Sequence, residues 1–296
     1  MTAPYRGRFA PTPTGPLHFG SLVAAVASYL DARSQQGHWL VRIEDLDPLR
    51  ESPEAADQIL QSLEHHQLHW DETVRFQSQR HDAYEAMLDQ LKTAGRTYPC
   101  TCSRKQLAAH GGLHPARCRS HPNWNVAPPY ALRFAIADHP LDWQDRLQGP
   151  QHYSPQVEVD DFVLKRKEGF YAYQLAVVCD DIDQGITDVV RGSDLLDSTP
   201  LQLNLYEALA EAPPRYLHFP VILADNGQKL SKQNRAPAID DSTPAQNLQR
   251  ALAALQHAPP ADLAGAPAGE LLAWGAAHWN PQALPPTLSM PQQNPR

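Results

Sequence analysis

A turn rich in proline and glycine, PTPTGPLHFGSL at residues 11–22, separates a short strand pattern from a long helix pattern. The strand pattern is YRGRFA (Tyr5–Ala10), and the amphipathic helix pattern covers Gly20–Gln36. Proline fixes φ and removes backbone donors, whereas Gly15 and Gly20 let the backbone approach a ligand at the helix N-terminus. The turn therefore predicts a phosphate-binding connection, and a tight turn without a ligand is the alternative.

Strand and helix patterns continue along the chain. HWLVRIEDLD (His38–Asp47) is a second strand, so the first helix joins two strands in the manner of a parallel sheet. Helical patterns follow at Pro53–Gln67 and Gln79–Ala94. Another helix begins near Ser198 or Thr199, before a last strand YLHFPVILAD. These patterns predict an α/β fold built on a parallel sheet.

The periodicity fails from Tyr98 to about Gln156, which indicates an insertion that splits the sheet. The tail is rich in alanine and proline with one helix-like patch, ELLAWGAAHW, and we expect much of it to be loosely ordered. The expected organisation is residues 1–97, the first half of the α/β domain; 98–160, the insertion; 161–236, the second half; and 237–296, a small helical C-terminal part.

Composition limits the classes of protein and partner. The chain has 296 residues and a net charge of −8, which weighs against a broad basic surface for nucleic acid, so any such contact is expected to be local. No apolar run is long enough to cross a bilayer, and the N-terminus lacks the layout of a secretory signal. We expect a cytoplasmic protein, and a monomer, although the sequence leaves the oligomeric state open.

Two motifs far apart in the chain carry a family resemblance. HFGS begins at His18, and KLSK covers Lys229–Lys232 after the last strand. A lysine loop after a strand is commonplace by itself. The two motifs together, however, resemble the HIGH and KMSKS signatures of class I aminoacyl-tRNA synthetases. The chain is similar to the glutamyl branch in particular through the segments RFAPTPTGPL, VRIEDLD, YAYQLAVVCDD and VVRGSDLL.

The resemblance implies a Rossmann-like catalytic domain that binds ATP with Mg²⁺. Its ATP-binding residues would be Gly15, His18, Gly20, Lys229 and Lys232, with His18 and Lys232 catalytic. When an amino acid is activated, its carboxylate attacks the α-phosphate of ATP and pyrophosphate leaves, so negative charge builds on phosphate oxygens. Backbone amides at the helix N-terminus and His18 can meet that charge, and Lys232 can close over the leaving group.

A glutamate substrate carries two carboxylates and one ammonium group. Arg8 and Arg191 suit the carboxylates because a guanidinium binds them in a planar, bidentate way, and Glu44 suits the ammonium group. Tyr173 can close the pocket with its hydroxyl. These four residues, with Thr12, match the amino-acid site that the resemblance implies, whereas a surface ion pair or a core tyrosine is the alternative for each.

Three cysteines and a histidine cluster in the insertion, within CTCSRKQLAAHGGLHPARC. Thiolates and an imidazole are a standard tetrahedral zinc set, in a segment with little apolar content to hold it together. The predicted Zn²⁺ ligands are Cys100, Cys102, His114 and Cys118. His110 and His121 are alternatives to the histidine, and unliganded reduced cysteines are the alternative to a metal site.

Short members of the glutamyl branch activate L-glutamate and attach it to the queuosine base of the tRNA(Asp) anticodon, and the chain resembles these most. Its length agrees with them, because glutamyl-tRNA synthetases continue into an anticodon-binding region that we do not find here. Three alternatives are considered: a catalytic fragment that charges the tRNA 3′ end, an inactive tRNA-binding paralogue, and a nucleotidyltransferase of similar fold. The presence of Arg8, Arg191 and Glu44 weighs against the last two.

Overall fold

The structure is a computed structural model that describes residues 4–47, 51–103, 105–106, 117–156, 160–223 and 237–291. The strands are β1 (Arg6–Phe9), β2 (His38–Ile43), β3 (Arg75–Phe76), β4 (Thr97–Cys100), β5 (Ala131–Phe134), β6 (Leu141–Asp145), β7 (Gly149–Tyr153), β8 (Phe162–Lys165), β9 (Asp188–Gly192), β10 (Arg215–Phe219), β11 (Val221–Leu223) and β12 (Ser289–Pro291). The helices are α1 (Phe19–Ser34), α2 (Pro53–His65), α3 (His81–Thr93), α4 (Arg117–Ser120), α5 (Tyr173–Asp183), α6 (Thr199–Ala208), α7 (Pro244–Ala254) and α8 (Ala268–His278).

Parallel strands form the centre of the fold, which confirms the predicted α/β class. One sheet has the order β1-β2-β3, and a second has the order β7-β6-β10-β9, in which β6, β10 and β9 are parallel. Strand β9 packs beside β1, where the Thr187 amide donates to the Arg6 carbonyl oxygen at 2.9 Å. The two halves of the chain therefore meet along β1 and β9, the kind of junction where α/β sheets bind ligands.

Helix α1 packs against the strands through an almost wholly apolar surface. Leu22, Val23, Val26 and Leu30 are completely buried, because alanine and small polar residues between them let the helix lie close to the sheet. The helix starts at Phe19 and not at Gly20, since the preceding side chain caps it. Its N-terminus is thereby fixed at the carboxyl end of β1.

Residues 237–291 pack onto this core, so the expectation of a loosely ordered tail is wrong for them. Helices α7 and α8 both contact α1, and Leu248, Leu252 and Leu271 are fully buried in the same apolar cluster as Leu30. Strand β12 pairs in parallel with β11. Leucines at helical spacing explain why this part of the chain is ordered, and the surrounding prolines had obscured that spacing in the sequence.

The segment expected as one insertion divides into two parts. Strands β4, β5 and β8 form a small antiparallel sheet beside the cysteines. The hairpin of β6 and β7 instead extends the sheet of β9 and β10, with Asp145 in register with Tyr216. The hairpin differs from the expectation because Asp145, the last residue of β6, is completely buried among backbone donors. No helix in the described ranges is long and apolar enough to span a membrane.

Candidate active site

A cavity of about 660 Å³ lies at the carboxyl ends of β1 and β9 and at the N-terminus of α1. Seven of the residues predicted from the sequence line it: Arg8, Thr12, His18, Gly20, Glu44, Tyr173 and Arg191. Gly15 does not line it, but its φ of 143° is a conformation that favours glycine, so it shapes the turn. Lys229 and Lys232 lie outside the described residues.

Arg8 is held in the cavity wall by a buried carboxylate. Its Nε and Nη2 donate to the two carboxylate oxygens of Asp181 on α5, at 3.0 and 3.2 Å. Arg42 donates to the same carboxylate at 2.8 Å. Burial by itself would raise the pKa of Asp181, but the two guanidinium groups outweigh it and hold that pKa below its ordinary value. Arg8 is therefore fixed as a cation, and its Nη1 makes no hydrogen bond in the described part of the chain.

Glu44 follows β2 and is only 8 % exposed. Its Oε1 has no hydrogen-bond partner among the described residues, and the nearest cation is Nη2 of Arg42 at 3.6 Å. Burial raises the pKa of Glu44 to about 7, although Arg42 and Arg8 oppose the shift. A buried carboxyl group in a cavity wall with an oxygen that accepts no hydrogen bond is suited to a cationic ligand group, since that group would supply the missing donor.

Arg191 projects from the end of β9 and is 5 % exposed. Its Nε donates to His218 at 2.9 Å, its Nη2 donates to Thr199 at 3.0 Å, and its guanidinium lies 5.1 Å from the ring centre of Tyr216. Its Nη1 is buried and has no partner in the described ranges. The side chain thus presents one unpaired donor at a fixed position. Tyr173, in the same cavity, has a pKa raised chiefly by burial and next by Glu44.

The N-terminus of α1 forms the other side of the cavity. His18 is the N-cap, and its Nδ1 accepts from the Ser21 amide at 3.1 Å. Because Nδ1 is an acceptor, the proton of a neutral ring is on Nε2, which lies 2.9 Å from the Ser21 hydroxyl. His18 thus places an imidazole N–H, together with the Ser21 hydroxyl that it contacts, at the amide-rich end of a helix, a favourable position for phosphate.

The residues on both sides of the predicted lysine motif lie at the same cavity. Val221 and Ile222 line it before the motif. After the motif, Ala238 forms an antiparallel bridge with His18, and the Ile239 amide donates to the Leu17 carbonyl oxygen at 3.0 Å. The described residues before the motif thus lie in the cavity wall, and those after it lie beside the N-terminus of α1.

The predicted zinc ligands come together as far as the structure describes them. The sulfur atoms of Cys100, Cys102 and Cys118 lie within 4.8 Å of one another, and those of Cys102 and Cys118 are 3.7 Å apart. His114 is outside the described residues, whereas the alternative His121 is exposed. A tetrahedron with zinc–sulfur bonds of about 2.3 Å has sulfur atoms about 3.8 Å apart, so the distance between Cys102 and Cys118 fits zinc.

The sequence matches the family "tRNA synthetases class I (E and Q), catalytic domain" over residues 5–252. The chain belongs to this family. The family predicted from the two motifs is thereby confirmed. The glutamyl-Q tRNA(Asp) synthetase of Pseudomonas aeruginosa strain LESB58 is 52% identical over 293 residues, which cover 99% of each chain. The protein of the same name from Vibrio cholerae is 46% identical over 286 residues, covering 97% of this chain and 94% of its own.

Solved structures agree with this class I synthetase assignment at the level of fold. A glutamate tRNA ligase from Elizabethkingia meningosepticum, solved with its amino acid, superposes with a TM-score of 0.80 at 24% identity. The superposition covers 98% of this chain and 67% of that one. The glutamate-tRNA synthetase of Elizabethkingia anophelis gives a TM-score of 0.78 at 25% identity, over 96% of this chain and 67% of its own.

Sequence reasoning missed the residues that hold Arg8 and Arg191 in the cavity wall. Asp181 and Arg42 fix Arg8, and Asp145 and His218 lie behind Arg191. A signal for Asp181 was present in the sequence, because two aspartates directly follow the apolar residues of LAVVCDD. A carboxylate on a buried helix needs a cation as its partner. Asp145 and His218 are 73 residues apart, and no local pattern connects them.

Proposed function

We propose that the chain is an ATP-dependent ligase that converts L-glutamate into glutamyl-adenylate and transfers the glutamate to queuosine in tRNA(Asp). The observation that carries the proposal is the cavity itself, in which two buried arginines and one buried carboxyl group stand opposite the N-terminus of a helix. Its relatives at about half identity over nearly the whole chain bear the name of this activity, which supports the same assignment.

The charges of the cavity are complementary to those of glutamate. Arg8 and Arg191 each have an Nη1 without a partner in the described residues, one for each carboxylate. The Oε1 of Glu44, which accepts no hydrogen bond from the described residues, would accept from the ammonium group. Thr12 and Tyr173, which line the same wall, would complete the contacts. A glutamine side chain would turn an amide N–H₂ toward a guanidinium, so the pocket should reject it.

The nucleotide is expected on the other side of the cavity. We propose that the first-turn amides of α1 and Nε2–H of His18 hold the phosphates, and that Gly15 and Gly20 allow the backbone to come close. We propose that Lys229 and Lys232 meet the leaving pyrophosphate; the support is that the described residues before and after their segment lie at the cavity, with Ile222 in its lining and Ala238 bridged to His18. Mg²⁺ would accompany ATP and neutralise charge on its phosphates, while the lysines and amides stabilise the charge that develops during attack.

We further propose that Cys100, Cys102, Cys118 and His114 hold one structural zinc ion. The support is the sulfur geometry, since three thiols converge within 4.8 Å and none of the four cysteines forms a disulfide. The small sheet of β4, β5 and β8 beside them has a small apolar cluster of its own, formed by Tyr98 and Ala135 with the cysteines. Zinc would cross-link a segment that its core alone stabilises weakly.

The recipient of glutamate is the finer part of the proposal. The cyclopentene ring of queuosine carries a cis-diol much like that of a terminal ribose, so one pocket could present activated glutamate to either nucleophile. The relatives' name supports queuosine.

An exchange assay tests the activation step. Purified protein is incubated with ATP, labelled pyrophosphate and each amino acid in turn, with and without tRNA. We expect exchange with glutamate and background exchange with glutamine and aspartate. If none of the amino acids supports exchange, with or without tRNA, the protein is an inactive paralogue. Equal exchange with glutamine and glutamate would refute the two-arginine pocket.

A further inference from the structure

A histidine and an aspartate lie directly behind Arg191, outside the cavity. His218, on β10, is completely buried, and so is Asp145, at the end of β6. The His218 ring lies between Asp145 and Arg191: its Nδ1 is 2.6 Å from Oδ2 of Asp145, and its Nε2 is 2.9 Å from Nε of Arg191. The three side chains therefore form a line that ends in the cavity wall.

The bonding pattern allows one protonation state of the ring. Nε of an arginine only donates, so Nε2 of His218 must accept, and the ring proton must be on Nδ1, where Asp145 accepts it. A doubly protonated ring would direct an N–H at the N–H of Arg191. Three other groups act on the ring: the Thr199 hydroxyl lies 3.3 Å from Nε2, the Tyr216 ring stacks at 5.9 Å, and Asp194 at longer range raises the pKa of His218 against the net shift.

Asp145 is itself fixed by the backbone. Its Oδ1 accepts from the amides of Leu147 at 3.0 Å and Gln148 at 2.8 Å, and lies 3.3 Å from the amide of His218. These donors leave Oδ2 for the imidazole. The hairpin of β6 and β7 thus supplies a carboxylate with a fixed orientation, because rotating its two oxygen atoms out of place would break the hydrogen bonds to the backbone.

We infer that Asp145 and His218 are positioning residues, which hold Arg191 in the orientation that binds a carboxylate by fixing the imidazole in its Nδ1–H form. The inference rests on the proposed function in so far as glutamate is the ligand of Arg191. Burial lowers the pKa of His218 and the charge of Arg191 lowers it further, whereas Asp145 opposes the shift, so the net effect favours the neutral ring. Nothing in the local sequence around Arg191 indicates this arrangement.

Asp145→Asn tests the inference because the new side chain has the same shape. Its Oδ1 would stay with the backbone amides, so its Nδ2–H₂ would point at Nδ1 of His218 and force the ring proton onto Nε2. Nε2–H would then face Nε–H of Arg191. We expect the KM for glutamate in the exchange assay to rise roughly 10- to 100-fold, the usual effect of losing a hydrogen bond to a charged group, with the KM for ATP changed by less than about twofold.

Two substitutions at His218 separate positioning from packing. His218→Gln places a carbonyl oxygen near the position of Nε2, so it should keep the KM for glutamate within about threefold of the wild type. His218→Phe keeps the ring volume without the acceptor and should resemble Asp145→Asn. The matched control is Asp142→Asn, on the same strand, whose carboxylate bonds to the exposed His152 at 2.7 Å. It should leave both KM values unchanged.

The tautomer can be observed without any substrate. Long-range ¹H–¹⁵N correlation spectra of wild-type protein, with the His218 signals assigned by their loss in His218→Gln, should show Nδ1 protonated, and Asp145→Asn should show Nε2 protonated. Nε2–H in the wild type, or a wild-type KM for glutamate in a folded Asp145→Asn variant, would overturn the inference. If the wild type shows no exchange with glutamate, the proposed function fails, while the spectra still decide the tautomer.

Discussion

Replacing Glu44 by glutamine should stabilise the protein at neutral pH while it removes glutamate binding. Burial raises the pKa of Glu44 from 4.5 to about 7, so the folded state prefers the neutral carboxyl group. Below pH 4.5 the group is protonated in both folded and unfolded chains, and its full contribution to stability is present. As the pH rises through 7 that contribution is lost, because the folded state must then ionise a buried group.

The magnitude follows from the same pKa. A difference between 4.5 and about 7 corresponds to about 3 kcal/mol. A glutamine cannot ionise, so Glu44→Gln should match the wild type near pH 4.5 and exceed its unfolding free energy by about 3 kcal/mol above pH 7. For a chain of this length such a gain raises the melting temperature by about 5 °C. Over the same range the KM for glutamate of the wild type should rise as the pH falls below 7, because the ammonium group needs the ionised carboxylate.

Melting temperatures from pH 4.5 to 8.5, compared with exchange kinetics of the same samples, check this prediction. Glu64→Gln is the matched control, since Glu64 is an exposed residue on α2. Its melting curves should follow those of the wild type at every pH. A Glu44→Gln variant whose advantage does not grow with pH, or which keeps a normal KM for glutamate, would refute the assignment of Glu44 as a buried group reserved for a cationic ligand.

Three further predictions concern the remaining parts of the site. Lys232→Ala should lower the rate of glutamate activation by roughly a hundredfold with a smaller change in glutamate affinity, because it removes charge stabilisation of the leaving pyrophosphate; a near-normal rate in the exchange assay would remove Lys232 from the mechanism. Arg191→Ala should abolish exchange with glutamate without creating exchange with glutamine, and retained exchange would show that Arg191 does not bind the substrate. Elemental analysis should find one zinc ion per chain, and the Cys100→Ser variant should lose the zinc but keep ATP binding. Metal-free protein after purification without chelators would contradict the zinc site. Full zinc content in His114→Ala would indicate that another residue is the fourth ligand.

The features that could be predicted from the sequence are those that depend on neighbouring residues. The strand, turn and helix around His18 follow from proline, glycine and apolar spacing, and the first helix begins within one residue of its expected start. The candidate pocket residues Arg8, Glu44 and Arg191 were identifiable because each stands in a recognisable motif at the end of a strand. The cavity brings them together as the parallel topology requires.

The features that were missed depend on contacts between distant segments. Helix α7 was hidden by flanking prolines although its leucines have helical spacing, and tertiary burial against α1 decides its order. Asp181 anchors Arg8 across 173 residues, and Asp145 reaches His218 only because the hairpin of β6 and β7 joins the sheet of β9 and β10. Such pairs are set by topology, and a single sequence carries no periodic trace of them.

Transfer of glutamate to tRNA(Asp) is the most direct test of the proposed activity. Three substrates are compared: tRNA(Asp) that carries queuosine, the same tRNA trimmed of its terminal adenosine, and tRNA(Asp) with guanosine at the wobble position. We expect labelled glutamate to be attached to the first two at similar rates and not to the third, because queuosine supplies the nucleophile. Transfer that requires the intact 3′ end and proceeds equally with guanosine would contradict the account and indicate charging of the tRNA terminus.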